Sequence, residues 1–244
     1  MAITTYMTLT NRLLERLNEV IIAQSDFAST RGVQAMAKTV INSSIEDINI
    51  QEFEWPFNSA MATETLVAGT EEYTFGATVK TVKWDTFHLV KDASLGTNGH
   101  RLQFIDRDVR NRYLKNDDDN AGAAGLNVPL YVYPKHGAGF GISPSPDEAY
   151  EVTYEYFTYP VRLVAYDDQS TIPPMFDEAI IQGALYHFYM FRDNSEQADK
   201  AERNFTGWLG RMRSMLINNY DTMKGTIINR PSIAGGIVSS DYFR

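Results

Sequence analysis

Four histidines, His88, His100, His136 and His187, are the side chains best suited to metal binding or proton transfer in this 244-residue chain. Their spacings of 12, 36 and 51 residues match no metal motif such as H-E-x-x-H, which sets two rings on one helical face. His187 falls on an apolar helical line, where a core or interface histidine is expected. Asp117-Asp118-Asp119 invites a calcium loop, but a twelve-residue loop counted from Asp117 ends on Val128, where a bidentate Glu is required. The run reads as solvated charge. Gly137-Ala138-Gly139-Phe140-Gly141 resembles a dinucleotide loop only in part: Ile142 stands where the third glycine belongs, and no G-K-[ST] follows. It lies between strand patterns, ends in Pro144 and Pro146, and reads as a hairpin. The adjacent acids Glu71-Glu72 and Asp167-Asp168 point to opposite faces of an extended chain, so neither is the facing pair a glycosidase uses. There is no G-x-S-x-G elbow and no cysteine, which removes thiolate chemistry, Cys-ligated metals and disulfides together. The motifs predict no catalytic residue, no metal ligand set and no cofactor site, hence a protein that is not an enzyme.

Composition narrows the class further. Hydrophobic residues make up 43% and charged residues 22%, the balance of a globular chain with a sizeable core. The length suits one large domain, or one domain carrying a substantial insertion. Lys and Arg total 22 against 31 Asp and Glu, a net charge of −9, so an overall basic footprint for gripping nucleic acid is absent. No apolar run approaches the length of a membrane helix; Val20-Ile21-Ile22-Ala23 is typical. Met1–Asn11 has no positive residue ahead of an apolar stretch, so no secretory signal is expected and the protein is predicted to be soluble and made inside the cell.

Two helical blocks flank a β-rich middle. Leu9, Leu13, Leu17, Val20 and Ile21 make one apolar stripe and predict a helix from Leu9 to Ala23, with Arg12, Glu15, Arg16 and Glu19 off the stripe. A polar break over Asp26–Gly32 follows. Val33, Ala37, Val40, Ile41, Ile45 and Ile48 predict a second helix over Gly32–Glu52. Glu54-Trp55-Pro56-Phe57 ends it, with Pro56 pushing Trp55 out of helical geometry and the two aromatics placed to plug the end of a helix pair. From Ala60 to Ile172, segments rich in Thr, Val, Tyr and Phe recur between Gly, Pro and Asp clusters, as antiparallel strands do. The expected strands are Thr63–Val67, Glu72–Phe75, Thr81–Val90, Arg101–Phe104, Leu130–Tyr133, Phe140–Ser143 and Tyr150–Tyr159. In the last, Val152, Tyr154 and Tyr156 oppose Thr153, Glu155 and Phe157. A short helix over Asp106–Lys115 opens on Asp106 as N-cap, and Asn116–Gly125 reads as an exposed loop.

Pro173-Pro174 marks the return to helix. Phe176, Ile180, Gly183, His187 and Phe191 form the apolar line of a third long helix, with Asp177 and Glu178 at its positive end. Asn194 and Gln197 make a capping box for a fourth, in which Ala198, Ala201, Phe205, Trp208, Met212 and Leu216 repeat until about Tyr220. The predicted class is α+β: an antiparallel helix bundle from 1–59 and 173–221, a β-sandwich or barrel-like insertion over 60–172, and an extended C-terminal arm over 222–244. None of the four helices can bury its stripe alone, and packing them together is the simplest solution.

The last 23 residues have no helical period, yet they carry Ile227, Ile228, Ile233, Ile237, Val238, Tyr242 and Phe243 alongside Arg230, Pro231 and Arg244. That is too apolar for a solvated tail and too short for a core of its own. It either packs on its own body as an edge strand or docks on a partner. Fully extended it reaches about 75 Å at roughly 3.3 Å per residue.

With these elements in place the chain resembles the head-to-tail adaptors of tailed bacteriophages, in particular the tail tubular protein A-like family of short-tailed phages. The likeness rests on Leu9–Val20, on Gly32–Asn42 through Ile45 and Glu54-Trp55-Pro56-Phe57, and on Ile172-Pro173 through Phe176, Ala179-Ile180-Ile181 and Gly183-Ala184. These are patterns of apolar residues, and their order together with the αα–β–αα layout carries the resemblance. It implies a structural virion protein assembled in the host bacterial cytoplasm. It implies a twelve-subunit ring at the head-to-tail junction, bound to the portal protein through the C-terminal arm and to the tail nozzle protein through the β module. Genomic DNA would pass through the ring without specific binding, and an acidic inner wall would let phosphate slide. No membrane partner is implied. Two other classes remain at this stage: a carbohydrate- or receptor-binding β-sandwich using Trp84, Tyr131 and Tyr133 as stacking aromatics, and, more remotely, a glycoside hydrolase using acids of the β module.

Overall fold

The computed structural model describes residues 4–90, 99–114 and 126–217. The chain divides into two compact units, Met1–Ile48 with Leu163–Arg244, and Asn49–Arg162. The fold is mixed α+β, with several helices and two sheets.

The first unit carries most of the helix. α1 spans Tyr6–Arg16, opened by Thr5, whose hydroxyl accepts the Thr8 N–H; such a cap contributes about 1 kcal/mol. α1 starts earlier and ends sooner than the predicted Leu9–Ala23. Asn18 adopts a left-handed backbone (φ 54°) and stops it. The returning chain is clasped by Asn11, whose side chain accepts the Ile22 N–H at 2.9 Å and donates to the Ile22 carbonyl at 3.0 Å. Ile22 is therefore buried, while Val20 and Ile21 stand exposed and leave the stripe. A 3-10 turn over Gln24–Ser29 buries Phe27 edge-on against Tyr6.

α2 spans Val33–Gln51, close to the expected limits, and Ala37, Val40, Ile41, Ile45 and Ile48 are all buried. α3 is the short turn Arg107–Val109 of the second unit. α4 spans Asp177–Phe191 and α5 spans Ser195–Leu216, with the Asn194 side chain accepting the Gln197 N–H as the capping box predicted. Phe176, Ile180 and Gly183 are buried as the apolar line requires, but Phe191 at its end is 69% exposed, because the helix runs past the core there. Side chains tie the helices together. The Tyr6 hydroxyl donates to the Lys38 carbonyl, Ser44 Oγ donates to the Ile180 carbonyl at 2.8 Å, and Asn42 bonds both the N–H and the carbonyl of Leu163.

Among the described residues the second unit holds nine strands in two sheets: β1 Ser59–Thr65, β2 Glu72–Thr74, β3 Val79–Val82, β4 His88–Leu89, β5 His100–Arg101, β6 Gln103–Phe104, β7 Tyr131–Pro134, β8 Gly139–Ser143 and β9 Glu151–Thr158. In the larger sheet β9 pairs with β1 along one edge and with β4 and β3 on the other, and β5 extends the sheet beyond β4. The smaller sheet runs β2-β8-β7-β6. Every pairing is antiparallel except β6 with β7. Neither sheet closes into a barrel, since β1 ends its sheet with one neighbour; this corrects the barrel-like expectation.

The predicted strand Thr81–Val90 is broken in two. A 3-10 turn at Trp84–Thr86 interrupts it, and the Thr86 hydroxyl accepts the Glu155 N–H in place of a ladder partner. The alternation predicted along β9 also breaks. Val152 and Tyr154 are buried, but Phe157 is buried where Tyr156 was expected, next to a bulge in β3 between Val79 and Thr81. Side chains from both sheets meet in one core, with Tyr73, Val132, Phe140 and Ile142 from the smaller and Leu89, Val152 and Tyr154 from the larger. Phe87 stacks on Tyr154 at 4.7 Å within it.

Candidate functional site

The arm residues singled out in the sequence, Ile227, Ile228, Arg230, Pro231, Ile233, Ile237, Val238, Tyr242, Phe243 and Arg244, lie outside the described residues. So do Asp117, Asp118 and Asp119.

The best-built polar site of the first unit joins α1 to the start of α4. Arg12 and Arg16 lie one turn apart and reach the adjacent acids Asp177 and Glu178. Arg12 donates to Asp177 at 3.0 Å, and Arg16 grips Glu178 with both terminal nitrogens at 2.6 and 2.7 Å. The Thr4 hydroxyl adds a bond to Asp177 at 2.7 Å, and Gln182 one to Glu178. The fork of an arginine matches a carboxylate in two parallel bonds, which fixes orientation as well as distance. In the sequence the two arginines fall off the apolar stripe and the two acids at a helix end. Their meeting depends on tertiary contact, and the only hint was two Arg at i, i+4 and two acids side by side.

The two acids are tuned in opposite directions. Burial pushes Asp177 up, and the bonds and charge supplied by Thr4 and Arg12 only partly offset it. Burial also pushes Glu178 up, but the Arg16 and Gln182 bonds and the charges of Arg16 and Arg12 outweigh it, so its pKa is lowered. Asp177 thus binds its proton more readily folded than unfolded; its contribution is fully present below the unfolded pKa and is lost as pH rises through the folded value. Glu178 contributes above its unfolded pKa and loses that as pH falls through the folded one. Urea denaturation from about pH 3 to about pH 7 is expected to separate them. Relative to wild type, Asp177→Asn gains stability as pH rises and Glu178→Gln loses it. Parallel changes would mean that the two acids share one environment.

His187, read as a core or interface histidine, is half-exposed on α4, with Nε2 2.6 Å from Asp47 Oδ2 on α2. No hydroxyl among the described residues bonds the ring. His88 contacts its neighbour's carbonyl, His100 Nε2 lies 2.8 Å from the Pro129 carbonyl, and His136 is exposed in the β7–β8 turn. The four rings are on separate elements. Among the described residues no group of three or more His, Asp or Glu could hold a metal ion, and no helix is long and apolar enough to cross a membrane.

The other motifs also find their places. Gly137–Gly141 forms the turn and first strand residues of the β7–β8 hairpin, with Gly137 at φ 82°. Glu71 bonds Arg110 and Ser145 while Glu72 faces Lys135, so the adjacent acids do point apart. The proposed stacking aromatics are a correction. Tyr133 is 1% exposed, and Trp84, stacked on Phe87 at 5.6 Å, is half-buried like Tyr131. Tyr133 therefore offers no face to a sugar. Two of the most exposed apolar side chains of the first unit, Val20 and Phe191, instead adjoin Glu19 and Arg192, which pair at 2.8 Å.

Comparison with known protein families gives a match that spans nearly all of the chain. The family model described as SU10 adaptor protein matches residues 4–227. No curated protein matches.

Proposed function

The chain belongs to the SU10 adaptor protein family, a family of phage head-to-tail adaptors, and from that premise we propose that it forms the ring joining the portal protein to the tail nozzle protein. The match over residues 4–227 is the observation that carries this reading. In this reading the protein is a structural virion component with no catalytic task, which the family match supports. In the ring, residues 1–59 and 173–221 form a helical bundle, and 60–172 a two-sheet sandwich facing the tail. Residues 222–244 form an arm that grips the portal through Ile227, Ile228, Ile233, Ile237, Val238, Tyr242 and Phe243, with Arg230 and Arg244 as charged anchors. Head-to-tail contacts close into a ring only when the subunit rotation allows it, and twelve copies are expected at the junction. The net charge of −9 suits a channel through which DNA slides without being held. Assembly takes place in the host bacterial cytoplasm.

The test is to mix the protein with the portal ring of its own phage and weigh the complex by light scattering. The expected result is a gain near twelve times 27.6 kDa, lost when Thr222–Arg244 is deleted although the body stays folded. No gain with the intact chain would overturn the reading. A gain that survives the deletion would remove the arm from it.

A further inference from the structure

Among the described residues the second unit leaves one long strand edge open: there β1 ends the larger sheet and pairs with β9 alone, over all seven of its residues. Just past it, the Leu66 N–H donates to the Tyr150 carbonyl at 2.7 Å. Residues of an antiparallel pair alternate between bonding their partner and facing away. Counting back in register, Glu64, Ala62 and Ala60 therefore bond Val152, Tyr154 and Tyr156, while Met61, Thr63 and Thr65 aim N–H and C=O outward. Among the described residues those outward groups have no protein partner.

Protein edges are commonly guarded against pairing by lysine, proline, bulges, short length or an inward-turned charge. Of these β1 carries only the last, in Glu64. Its sequence is Ser-Ala-Met-Ala-Thr-Glu-Thr, its register to β9 is unbroken, and Met61 is 72% exposed. The one charge on it, Glu64, is half-buried, and its side chain lies on the same side of the sheet as Ala62, which packs against the core. After burial, its charge helps to raise the phenol of Tyr73, and that of Tyr154 to about 12. No Lys or Arg among the described residues pairs with it. A carboxylate in that position is favoured by an incoming cation, and the backbone beside it is already extended and unpaired.

We propose that β1 is a docking edge for an extended segment of a second protein, which adds a strand to the larger sheet and sets a lysine or arginine beside Glu64. In such an addition main-chain hydrogen bonds supply the affinity, and the cation opposite Glu64 supplies the choice of segment. Another copy of β1 does not fit, because it brings a second glutamate and no cation. The far edge of the same sheet, β5, offers two residues against seven. The inference concerns the β unit alone and does not depend on the portal.

The experiment uses the full chain and labelled peptides read by fluorescence anisotropy. The probes are acetyl-Thr-Val-Thr-Lys-Val-Thr-Val-amide, the same peptide with Glu for Lys, and the Lys peptide N-methylated at alternate residues. The Lys peptide is expected to bind saturably and at least about tenfold more tightly than the Glu peptide, while the N-methylated peptide does not bind. Glu64→Gln should erase the preference for Lys and keep the binding. Thr63→Pro should abolish the binding and leave the melting curve in place, because the Thr63 N–H faces outward and its loss spares the β1–β9 ladder. No saturable binding up to about 1 mM, or equal binding of the N-methylated peptide, would overturn the proposal. Two other outcomes would also overturn it by assigning the edge elsewhere. Concentration-dependent protection of the Thr63 amide in the free protein would point to a second copy. Binding seen only after deletion of Thr222–Arg244 would show that the chain's own C-terminal segment fills the edge.

Discussion

Gly139→Ala is expected to cost about 3 kcal/mol or more of stability, enough to part β2 from β8. A Cβ at Gly139 would fall on the backbone carbonyl oxygen of Tyr73, with Lys135 Cδ at 3.1 Å and Thr74 Cα at 3.3 Å. Tyr73 is paired with Phe140 in that ladder, so the obstacle belongs to the partner strand itself. No side-chain substitution can remove it. Gly141 two residues on gives the contrasting case. Its Cβ would enter the ring of Tyr133, reaching the hydroxyl at 2.6 Å. Tyr133 is buried and lies under the Arg110 guanidinium, whose carbon is 5.2 Å from the ring centre. Gly141→Ala is therefore also expected to destabilise, by about 3 kcal/mol, but this loss depends on Tyr133. Combining it with Tyr133→Ala should cost less than the sum of the two single changes by more than about 1 kcal/mol. Urea denaturation of the four variants measures both statements. If Gly139→Ala were neutral, or if the Gly141 and Tyr133 costs simply added, the close approach would not be what selects glycine.

This also explains why a motif search notices Gly137-Ala138-Gly139-Phe140-Gly141 at all. Glycines at a spacing of two can mean backbone room for a phosphate or backbone room for a neighbouring strand and ring. Ile142 and the flanking prolines favour the second, and the pairing of β7 with β8 bears it out. The occupants, Tyr73 and Tyr133, are not legible in the motif, because they are set by strand order.

Elements governed by one dominant period were legible. α2 and α5 fall near their expected limits, since each buries a stripe that repeats every three to four residues. Elements ended by a distant side chain were not. Nothing in Leu17–Ala23 reveals that Asn11 will clasp Ile22, and the run of apolar residues there extends the helical pattern past its true end. Thr86 is a similar case, standing in for a strand partner at Glu155 and splitting what reads as one long strand. The antiparallel strands expected from the sequence do not include the parallel pair β6–β7. The 26 residues between Phe104 and Tyr131 leave ample chain for the crossover that a parallel pair needs.

The candidate site divides in the same way. Family membership was legible from the order of the helical blocks around the β middle, and the match over residues 4–227 supports it. Charge partners were not, because Arg12 and Asp177 are 165 positions apart and salt bridges carry no sequence period. The open edge of β1 was hidden for another reason. The expected strand began at Thr63, which omits Ser59–Ala62, and an edge is defined by strand order, which a strand pattern does not contain.

In the first unit, Gly183 of α4 sets two general tendencies against each other, and the structure says which prevails. In the middle of a helix, alanine is favoured over glycine by about 1 kcal/mol, so propensity alone makes Gly183→Ala stabilising. Yet a Cβ there would overlap Ser44 Oγ of α2, with Phe205 Cε2 of α5 at 3.0 Å and Ser44 Cβ at 3.1 Å. Ser44 is fully buried and its hydroxyl donates to the Ile180 carbonyl at 2.8 Å, so it cannot swing away without losing that bond. Overpacking of this kind costs about 1–3 kcal/mol, and Gly183→Ala is expected to destabilise by about 2 kcal/mol net. Ser44→Ala removes the overlapping oxygen and the bond together, at about 1 kcal/mol by itself. With Ser44→Ala in place, the nearest remaining neighbours of the added methyl are the Cβ at position 44 and the edge of Phe205, a tight contact that a small rotation of the ring relieves. The double variant should then be no less stable than Ser44→Ala alone, a coupling of about 2 kcal/mol in its favour. Denaturant melts of wild type, both singles and the double close the cycle. A stabilising Gly183→Ala would mean that α2, α4 and α5 have room to part, and that helix propensity, not close packing, governs this position.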